Sequence, residues 1–185
     1  MDKKECTSMK VTECIKTRRS IRKYKSDKVD KELIKQMVEE ASYSPSWKHT
    51  QIPRYTALES VEMKARVAKH CAPYNAEIVE QAPVVMVVSF MKERSGYERD
   101  GSFTTAKGSA WQMFDTGIAC QTFCLAAHDA GLGTVIMGVF DDAEVAKELE
   151  LPETQEVAAL IAVGYADIAP EAPVRKSVEE LLAFR

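Results

Sequence analysis

The stretch that most constrains this chain runs from Ser109 to Ala130, where helical spacing continues without a clear polar face. Positions 118–120 and 123–127 hold only Ile, Ala, Cys, Phe and Leu. A helix that is apolar almost all round needs cover on every side, from its own domain or from a second subunit. Gly131 follows at the position where glycine commonly ends a helix. The rest of the fold, or a second subunit, must therefore supply that cover.

A second constraint is the run Val84–Val88, which is apolar at every position and follows Pro83. Such a run is typical of a strand buried between two layers. Further strands are predicted over 54–58, 134–139 and 157–163. Helices are predicted from Ser8 or Val11 to Thr17, after Asp30, after Ser60 and over 142–149, and a short helix or turn is predicted over 75–81. Because helices and strands mix without strict alternation, we predict an α+β fold: a small central sheet, mixed but mainly antiparallel, sandwiched by helices.

Length and charge narrow the class of protein. The 185 residues, 45% of them hydrophobic, suit a single domain spanning 1–185 with a substantial core. A net charge of -3 argues against a nucleic-acid binder. The longest apolar strand-like run is too short to span a bilayer, and the charged N-terminus lacks the apolar region of a secretory signal. We therefore expect a cytoplasmic protein with neither nucleic acid nor membrane as a partner.

Five cysteines, Cys6, Cys14, Cys71, Cys120 and Cys124, occur without a Cys-x-x-Cys pair. With only three scattered histidines they form no recognisable set of metal ligands. We expect small buried side chains and no structural metal.

The residues that point to chemistry are Arg18, Arg19, Ser20 and Arg22. An arginine guanidinium matches phosphate oxygens bidentately and stays charged throughout the working pH range. The cluster is therefore a candidate anion site, although a solvated basic surface turn has the same composition.

Two other segments are candidate functional loops. Residues 44–51 form a polar segment that begins at a proline and contains Trp47. Residues 91–108 hold three glycines, seven charged side chains and the isolated aromatics Tyr97 and Phe103. We predict a mobile loop or lid there.

The arginine cluster resembles the flavin-binding signature near the N-terminus of the nitroreductase family, and further matches follow at similar spacing as far as Arg175. The resemblance implies the α+β fold of that family and FMN as the cofactor. It also implies that Arg18, Arg19, Ser20 and Arg22 hold the phosphate, the ribityl chain and the pyrimidine edge. Arg22 would lie near flavin N1 and O2, where a fixed cation favours the anionic reduced ring.

The loop 44–51 resembles a family segment that reaches the flavin of the opposite subunit, which implies a homodimer. The residues implicated are Pro45, Ser46, Trp47, His49 and Gln51. His49 replaces the usual Asn, and Ile52-Pro53 stands where Pro-Trp is common, so this part of the match is weaker. An ordinary Pro/Ser loop remains the alternative.

Later matches complete the implied site. Asn75 would bond the pyrimidine ring, although a lone asparagine is more often a helix cap. A backbone N–H within Ile136, Met137 and Gly138 would face flavin N5. Arg175 would return to the phosphate opposite Arg18, the alternative being an exposed arginine before a C-terminal helix.

The implied activity is hydride transfer from NAD(P)H through FMN to a nitroaromatic or quinone acceptor by a ping-pong mechanism. No catalytic side chain is expected, because hydride transfer between stacked rings depends on proximity. Trp47, Tyr97 and Phe103 are candidate walls of the acceptor pocket, and the tail 177–184 is amphipathic and suited to docking on a partner. Two alternatives stay open: another reductive reaction, such as dehalogenation or ene reduction, and a flavin-binding or regulatory protein without turnover.

Overall fold

The computed structural model describes residues 9–185, so Cys6 and Ser8, the alternative start of the first helix, lie outside the described part. The helices are α1 (Val11–Thr17), α2 (Lys31–Ser42), α3 (Val61–Ala68), α4 (Pro73–Gln81), α5 (Ala110–Asp129), α6 (Asp142–Glu148) and α7 (Val178–Leu181). The strands are β1 (Pro53–Leu58), β2 (Val84–Met91), β3 (Gly133–Met137) and β4 (Gln155–Gly164).

The strands form one sheet in the order β1-β2-β4-β3, and each neighbouring pair is antiparallel. A parallel bridge joins Ser20 to Thr134, so the segment that follows α1 lies beside the edge strand β3. The α+β prediction with a central, mainly antiparallel sheet is therefore confirmed. The sheet places the arginine segment at one of its edges.

Both faces of the sheet are buried, as the composition of β2 predicts. Val85 and Val87 face one hydrophobic cluster, which is closed by residues of α3, α4 and α6. Val84, Met86 and Val88 face the other cluster, to which α2 and α5 contribute. Each fully buried side chain of this size contributes about 1.5–3 kcal/mol through removal from water. The alternation along β2 therefore holds the two helical layers on opposite sides of the sheet.

Other residues of the same chain cover the C-terminal half of α5. Phe123 is fully buried and stacks on Tyr55 with ring centroids 5.8 Å apart. Near the start of the same helix, however, Met113 and Phe114 are 51% and 59% exposed. The domain thus leaves part of this apolar helix without cover.

Several strand ends differ from the prediction by one to three residues, and the ends of β2 and β3 have clear physical reasons. Strand β2 continues past Val88 because Ser89, although polar, is buried and donates a hydrogen bond to Gln155 Oε1 over 2.8 Å. Strand β3 ends at Met137 instead of Val139, since the Val139 carbonyl accepts from the Ala72 N–H, which lies outside the sheet.

The segment between β2 and α5 contains a hairpin-like turn. Tyr97 and Phe103 form an antiparallel bridge, and the Glu98 N–H donates to the Ser102 carbonyl over 2.8 Å. The mobility expected of this segment stays a prediction.

The described cysteines are free thiols: Cys14, Cys120 and Cys124 are buried and Cys71 is partly buried. Burial raises the pKa of Cys71 to about 11 and, with Cys124 nearby, that of Cys120 to about 12. Within residues 9–185 no group of three His, Cys, Asp or Glu side chains could hold a metal ion. No helix in that range is both long and apolar enough to cross a membrane.

Gly133 allows the arginine segment to dock on β3. A Cβ added at this position would lie 2.6 Å from Ile21 Cγ1 and 2.8 Å from Ile21 Cβ. The Ile21 N–H donates to the neighbouring Thr134 carbonyl over 2.9 Å, so the two backbones are fixed at close range.

We therefore expect Gly133→Ala to lower the free energy of unfolding by about 1–3 kcal/mol, because the added methyl overpacks this contact. Ile21→Gly removes both the Cγ atoms and the Cβ that would clash. In that background Gly133→Ala should cost clearly less, as measured by denaturant unfolding of the two single variants and the double variant. Strictly additive losses would contradict the contact.

Candidate active site

The two ends of the chain meet at one cavity of about 410 Å³. Arg18, Arg19, Ser20 and Arg22 line it from one side and Arg175 from the other. Pro170, Glu171 and Pro173 complete the lining. The structure therefore brings together the five residues predicted to hold the phosphate, the ribityl chain and the pyrimidine edge.

Tyr24 anchors the arginine segment to the sheet. Its buried hydroxyl lies 2.6 Å from the Ile21 carbonyl and 3.1 Å from the Ala162 carbonyl of β4. Burial raises the pKa of this phenol, so the hydroxyl stays protonated and able to donate.

The same region directs the C-terminal segment back to the arginines. Tyr24 forms an antiparallel bridge with Ala166, and the Asp167 N–H donates to the Lys23 carbonyl over 3.0 Å. The chain leaves β4 along this short pairing. It therefore runs past the arginine segment before it reaches Arg175.

The cavity is strongly positive. None of its four arginines makes a salt bridge with a carboxylate inside the described range 9–185. Arg19 Nη1 donates to the carbonyls of Lys16 and Arg18 over 2.7 and 2.8 Å, which holds its side chain at the end of α1. Glu171 is the acidic residue of the lining. This arrangement suits a ligand that carries more than one negative charge.

His128 lies beside the arginines, in an adjoining cavity of about 480 Å³ that Arg18 and Arg19 also line. Its Nε2 is 2.8 Å from Thr17 Oγ1. Burial, followed by the charges of Arg18 and Arg19, lowers the pKa of His128 below its ordinary value. The imidazole is therefore neutral at pH 7 and adds no further charge to the site.

The loop 44–51 lines a different cavity. Pro45 and Gln51 face a space of about 300 Å³ together with Tyr55, Asp115 and Ala119, among others. This cavity and the arginine cavity share no lining residue. Within one chain, the structure therefore does not bring the two predicted halves of the site together.

The loop has an unusual backbone. Lys48, His49 and Gln51 have φ angles of 45°, 57° and 47°, in the left-handed region that glycine normally occupies. The Gln51 N–H donates to Ser46 Oγ over 3.0 Å, which closes the loop on itself. Three successive or near-successive residues of this loop therefore hold a backbone conformation that is unfavourable for non-glycine residues.

Asn75 and the end of β3 form a further part of the predicted site. Asn75 is 4% exposed, and its Nδ2 donates to the Val139 carbonyl over 3.2 Å. This bond holds the segment that follows Met137. A Cβ added at Gly138 would meet no atom within 4 Å, so the backbone there is open to an approaching group. Contact of these residues with a cofactor stays a prediction.

The three aromatic residues predicted to line an acceptor pocket lie in two loops. Trp47 packs on Trp111 with centroids 4.7 Å apart, and Tyr97 packs on Phe103 at 4.9 Å. Phe103 is 57% exposed. Lys48 and Glu98 link the two loops by a salt bridge of 2.9 Å. The pocket itself stays a prediction.

Sequence reasoning missed His128, Asp115 and the prolines of the cavity wall. A signal existed for Pro170 and Pro173, because prolines cluster just before Arg175. Asp115 and His128 are titratable residues within a predominantly apolar helix, which was the available signal.

Comparison with known proteins gives consistent results. The model of the Nitroreductase family matches residues 15–165. A protein of Methanothermobacter thermautotrophicus, provisionally named NADH dehydrogenase/NAD(P)H nitroreductase, is 34% identical over 163 residues, which cover 86% of this chain and 78% of that protein.

Solved structures share the fold. A nitroreductase family protein from Streptococcus pneumoniae superposes with a TM-score of 0.86 at 22% identity, covering 95% of this chain and all of that chain. A nitroreductase from Exiguobacterium sibiricum, solved in complex with FMN, gives 0.83 at 24% identity, covering 97% and 99%.

The positive charge of the arginine cavity predicts a measurable change in the pKa of His128. Because Arg18 lowers the pKa of His128, Arg18→Gln should raise that pKa toward the ordinary value of a histidine. Binding of inorganic phosphate by the arginines should shift it in the same direction. Proton NMR of the three histidines across pH 4–8 would show both shifts. His70, which lies beside Glu148, is the internal control, and a His128 signal unmoved by Arg18→Gln would contradict the arrangement.

Proposed function

Because this chain belongs to the nitroreductase family, we propose that it is an FMN-dependent oxidoreductase. In this proposal it passes a hydride from NADH or NADPH to an electron-poor acceptor, such as a nitroaromatic or a quinone. The observation that carries the proposal is the arginine cavity, in which four arginines from distant parts of the sequence converge and none forms a salt bridge with a carboxylate of residues 9–185.

The cavity fits the phosphate of FMN. A phosphate monoester carries a charge of about -1.5 to -2 at pH 7, together with three strong acceptor oxygens. Arg18, Arg19, Arg175 and Ser20 line the cavity and would offer donors for those oxygens. In our proposal Arg18 and Arg175 hold the phosphate from opposite ends of the chain.

The other residues would orient the ring system. Arg22 is exposed at the edge of the arginine segment, where it could offset the negative charge of a reduced ring. Open backbone near Gly138 would allow close approach, and Asn75 keeps that backbone in place through Val139. FMN, when bound, supplies the hydride chemistry, so the protein needs no acid or base of its own.

Donor and acceptor would then occupy the same position in turn, which is a ping-pong scheme. Trp47, Tyr97 and Phe103 are the proposed walls of that position. The Lys48–Glu98 salt bridge, which joins their two loops, would keep the walls in a fixed relation.

We further propose a homodimer in which each flavin contacts both chains. The arginine cavity and the cavity beside loop 44–51 are separate within one chain, so one ligand could use both only across two chains. Exposed Met113 and Phe114 on α5, and exposed Val178, Leu181, Leu182 and Phe184 in the tail, supply apolar surface for such an interface.

The proposed clamp predicts the affinity for FMN. Arg18→Gln and Arg175→Gln should each raise the FMN dissociation constant about 10- to 100-fold, since a hydrogen bond to a charged group contributes about 1.5–3 kcal/mol. Fluorescence titration of purified protein measures this. Arg66→Gln is the matched control, because Arg66 pairs with Glu148 on α6 and does not line the arginine cavity. Equal affinities in all variants, or no FMN binding by the wild type, would contradict the proposal.

Shared sites predict complementation between damaged chains. A chain with Arg18→Gln and Arg175→Gln, and a chain with Ser46→Ala and Gln51→Ala, should each bind FMN poorly. A heterodimer of the two keeps one site with intact arginines and an intact loop. Mixing after partial unfolding and refolding should therefore restore up to one high-affinity site per dimer. No restoration in a confirmed heterodimer would show that the site lies within one chain.

Turnover separates the remaining alternatives. The FMN-loaded protein should oxidise a reduced nicotinamide faster when a nitroaromatic or quinone is present than with a halogenated aromatic or an activated alkene. Stopped-flow absorbance at the flavin band follows each half-reaction. Bound flavin that neither NADH nor NADPH reduces would contradict an enzymatic role.

A further inference from the structure

The loop 44–51 is tied to α5 by a buried carboxylate. Asp115 is 3% exposed, and its Oδ2 accepts hydrogen bonds from the Trp47 N–H over 2.9 Å and from the Ser95 hydroxyl over 2.6 Å. It takes part in no salt bridge within the described chain. A buried carboxylate without a cation depends on such donors to offset its loss of hydration. The two bonds are therefore short and charge-assisted.

Ser95 extends the connection to the other end of the loop. Its side chain is fully buried, and its Oγ lies 2.8 Å from Thr50 Oγ1. A serine hydroxyl has one hydrogen, which here goes to Asp115, so Thr50 donates to Ser95. Asp115 thus holds the loop directly at Trp47 and indirectly at Thr50.

Between these two anchors lies the strained backbone. Lys48 and His49 have positive φ angles, and Gln51, just beyond Thr50, has another. A non-glycine residue in this region costs about 1–2 kcal/mol. Without its anchors the loop would relax to ordinary backbone angles. The conformation that presents Ser46, His49 and Gln51 therefore depends on contacts from outside the loop.

We propose that Asp115 is a positioning residue of the flavin and acceptor site. Through Trp47 it fixes the loop that would contact the flavin, and through Ser95 it fixes the start of the segment that carries Tyr97 and Phe103. One carboxylate on the rigid α5 helix thus sets the relative position of both proposed walls. This inference rests on the proposed function for the identity of the ligand, but the anchoring itself can be measured without a ligand.

The test compares Asp115→Ala, Asp115→Asn and Ser95→Ala with the wild type. Thr116→Val is the matched control, because Thr116 is equally buried on the same helix but donates only to the Gln112 carbonyl, within α5. For each dimer, hydrogen–deuterium exchange of residues 46–51 is measured with and without FMN. The FMN dissociation constant and the visible circular dichroism of the bound flavin are measured as well.

We expect Asp115→Ala and Ser95→Ala to speed exchange of residues 46–51 about 10-fold or more and to change the flavin dichroism. The FMN dissociation constant should rise about 10-fold in Asp115→Ala. Asp115→Asn keeps an acceptor oxygen, so its effects should be clearly smaller than those of Asp115→Ala. Thr116→Val should stay within about 2-fold of the wild type in every measurement.

The inference is overturned if Ser95→Ala and Asp115→Ala exchange like Thr116→Val, or if Asp115→Asn is as damaging as Asp115→Ala. Should Asp115→Ala fail to fold, Ser95→Ala alone decides the question. If the wild type does not bind FMN, the proposed function fails while the exchange of the loop still tests the anchoring.

Discussion

The structure depends on the docking of residues 20–25 against the edge formed by β3 and β4. The Ile21 N–H bonds to Thr134, and the Tyr24 hydroxyl reaches the carbonyl of Ala162. The same short segment pairs with Ala166 as the chain leaves the sheet. Arg18 and Arg175, which are 157 positions apart in sequence, therefore line one cavity, and the concentration of positive charge there follows from this docking.

The fold was largely predictable because its strongest signals are local. The unbroken apolar composition of Val84–Val88 requires cover on two faces, and both hydrophobic clusters supply it. The ends of strands were less predictable, since they depend on partners that are distant in sequence. Ser89 remains in β2 because its hydroxyl donates a hydrogen bond to Gln155 Oε1. Val139 lies outside β3 because its carbonyl accepts hydrogen bonds from Asn75 Nδ2 of α4 and from the N–H of Ala72, the residue before α4.

The candidate site was predictable where residue type alone indicates chemistry. Arginines can be identified as anion ligands from the sequence, and their convergence with Arg175 came from the family resemblance. The hydrogen bonds that hold loop 44–51 against α5 were not predictable in this way. Asp115 is an acidic residue within α5, and nothing local shows that its partners are Trp47 and Ser95. The left-handed backbone angles of Lys48, His49 and Gln51 could not be predicted from the sequence either, because none of these residues is glycine.

Arg175 differs from the other arginines of the cavity because the segment that carries it is not packed against the core. Every residue from 171 to 185 is exposed, and Val174 beside it is 99% exposed, so this part of the chain contributes almost nothing to the core. The core of one chain and the proposed Arg175 side of the clamp therefore belong to different parts of the polypeptide. A protease that cuts after Ala169 would leave the buried core of the chain in place but would remove Arg175 from the cavity. For this protein, good expression and a high melting temperature say little about whether the ligand-binding apparatus is complete.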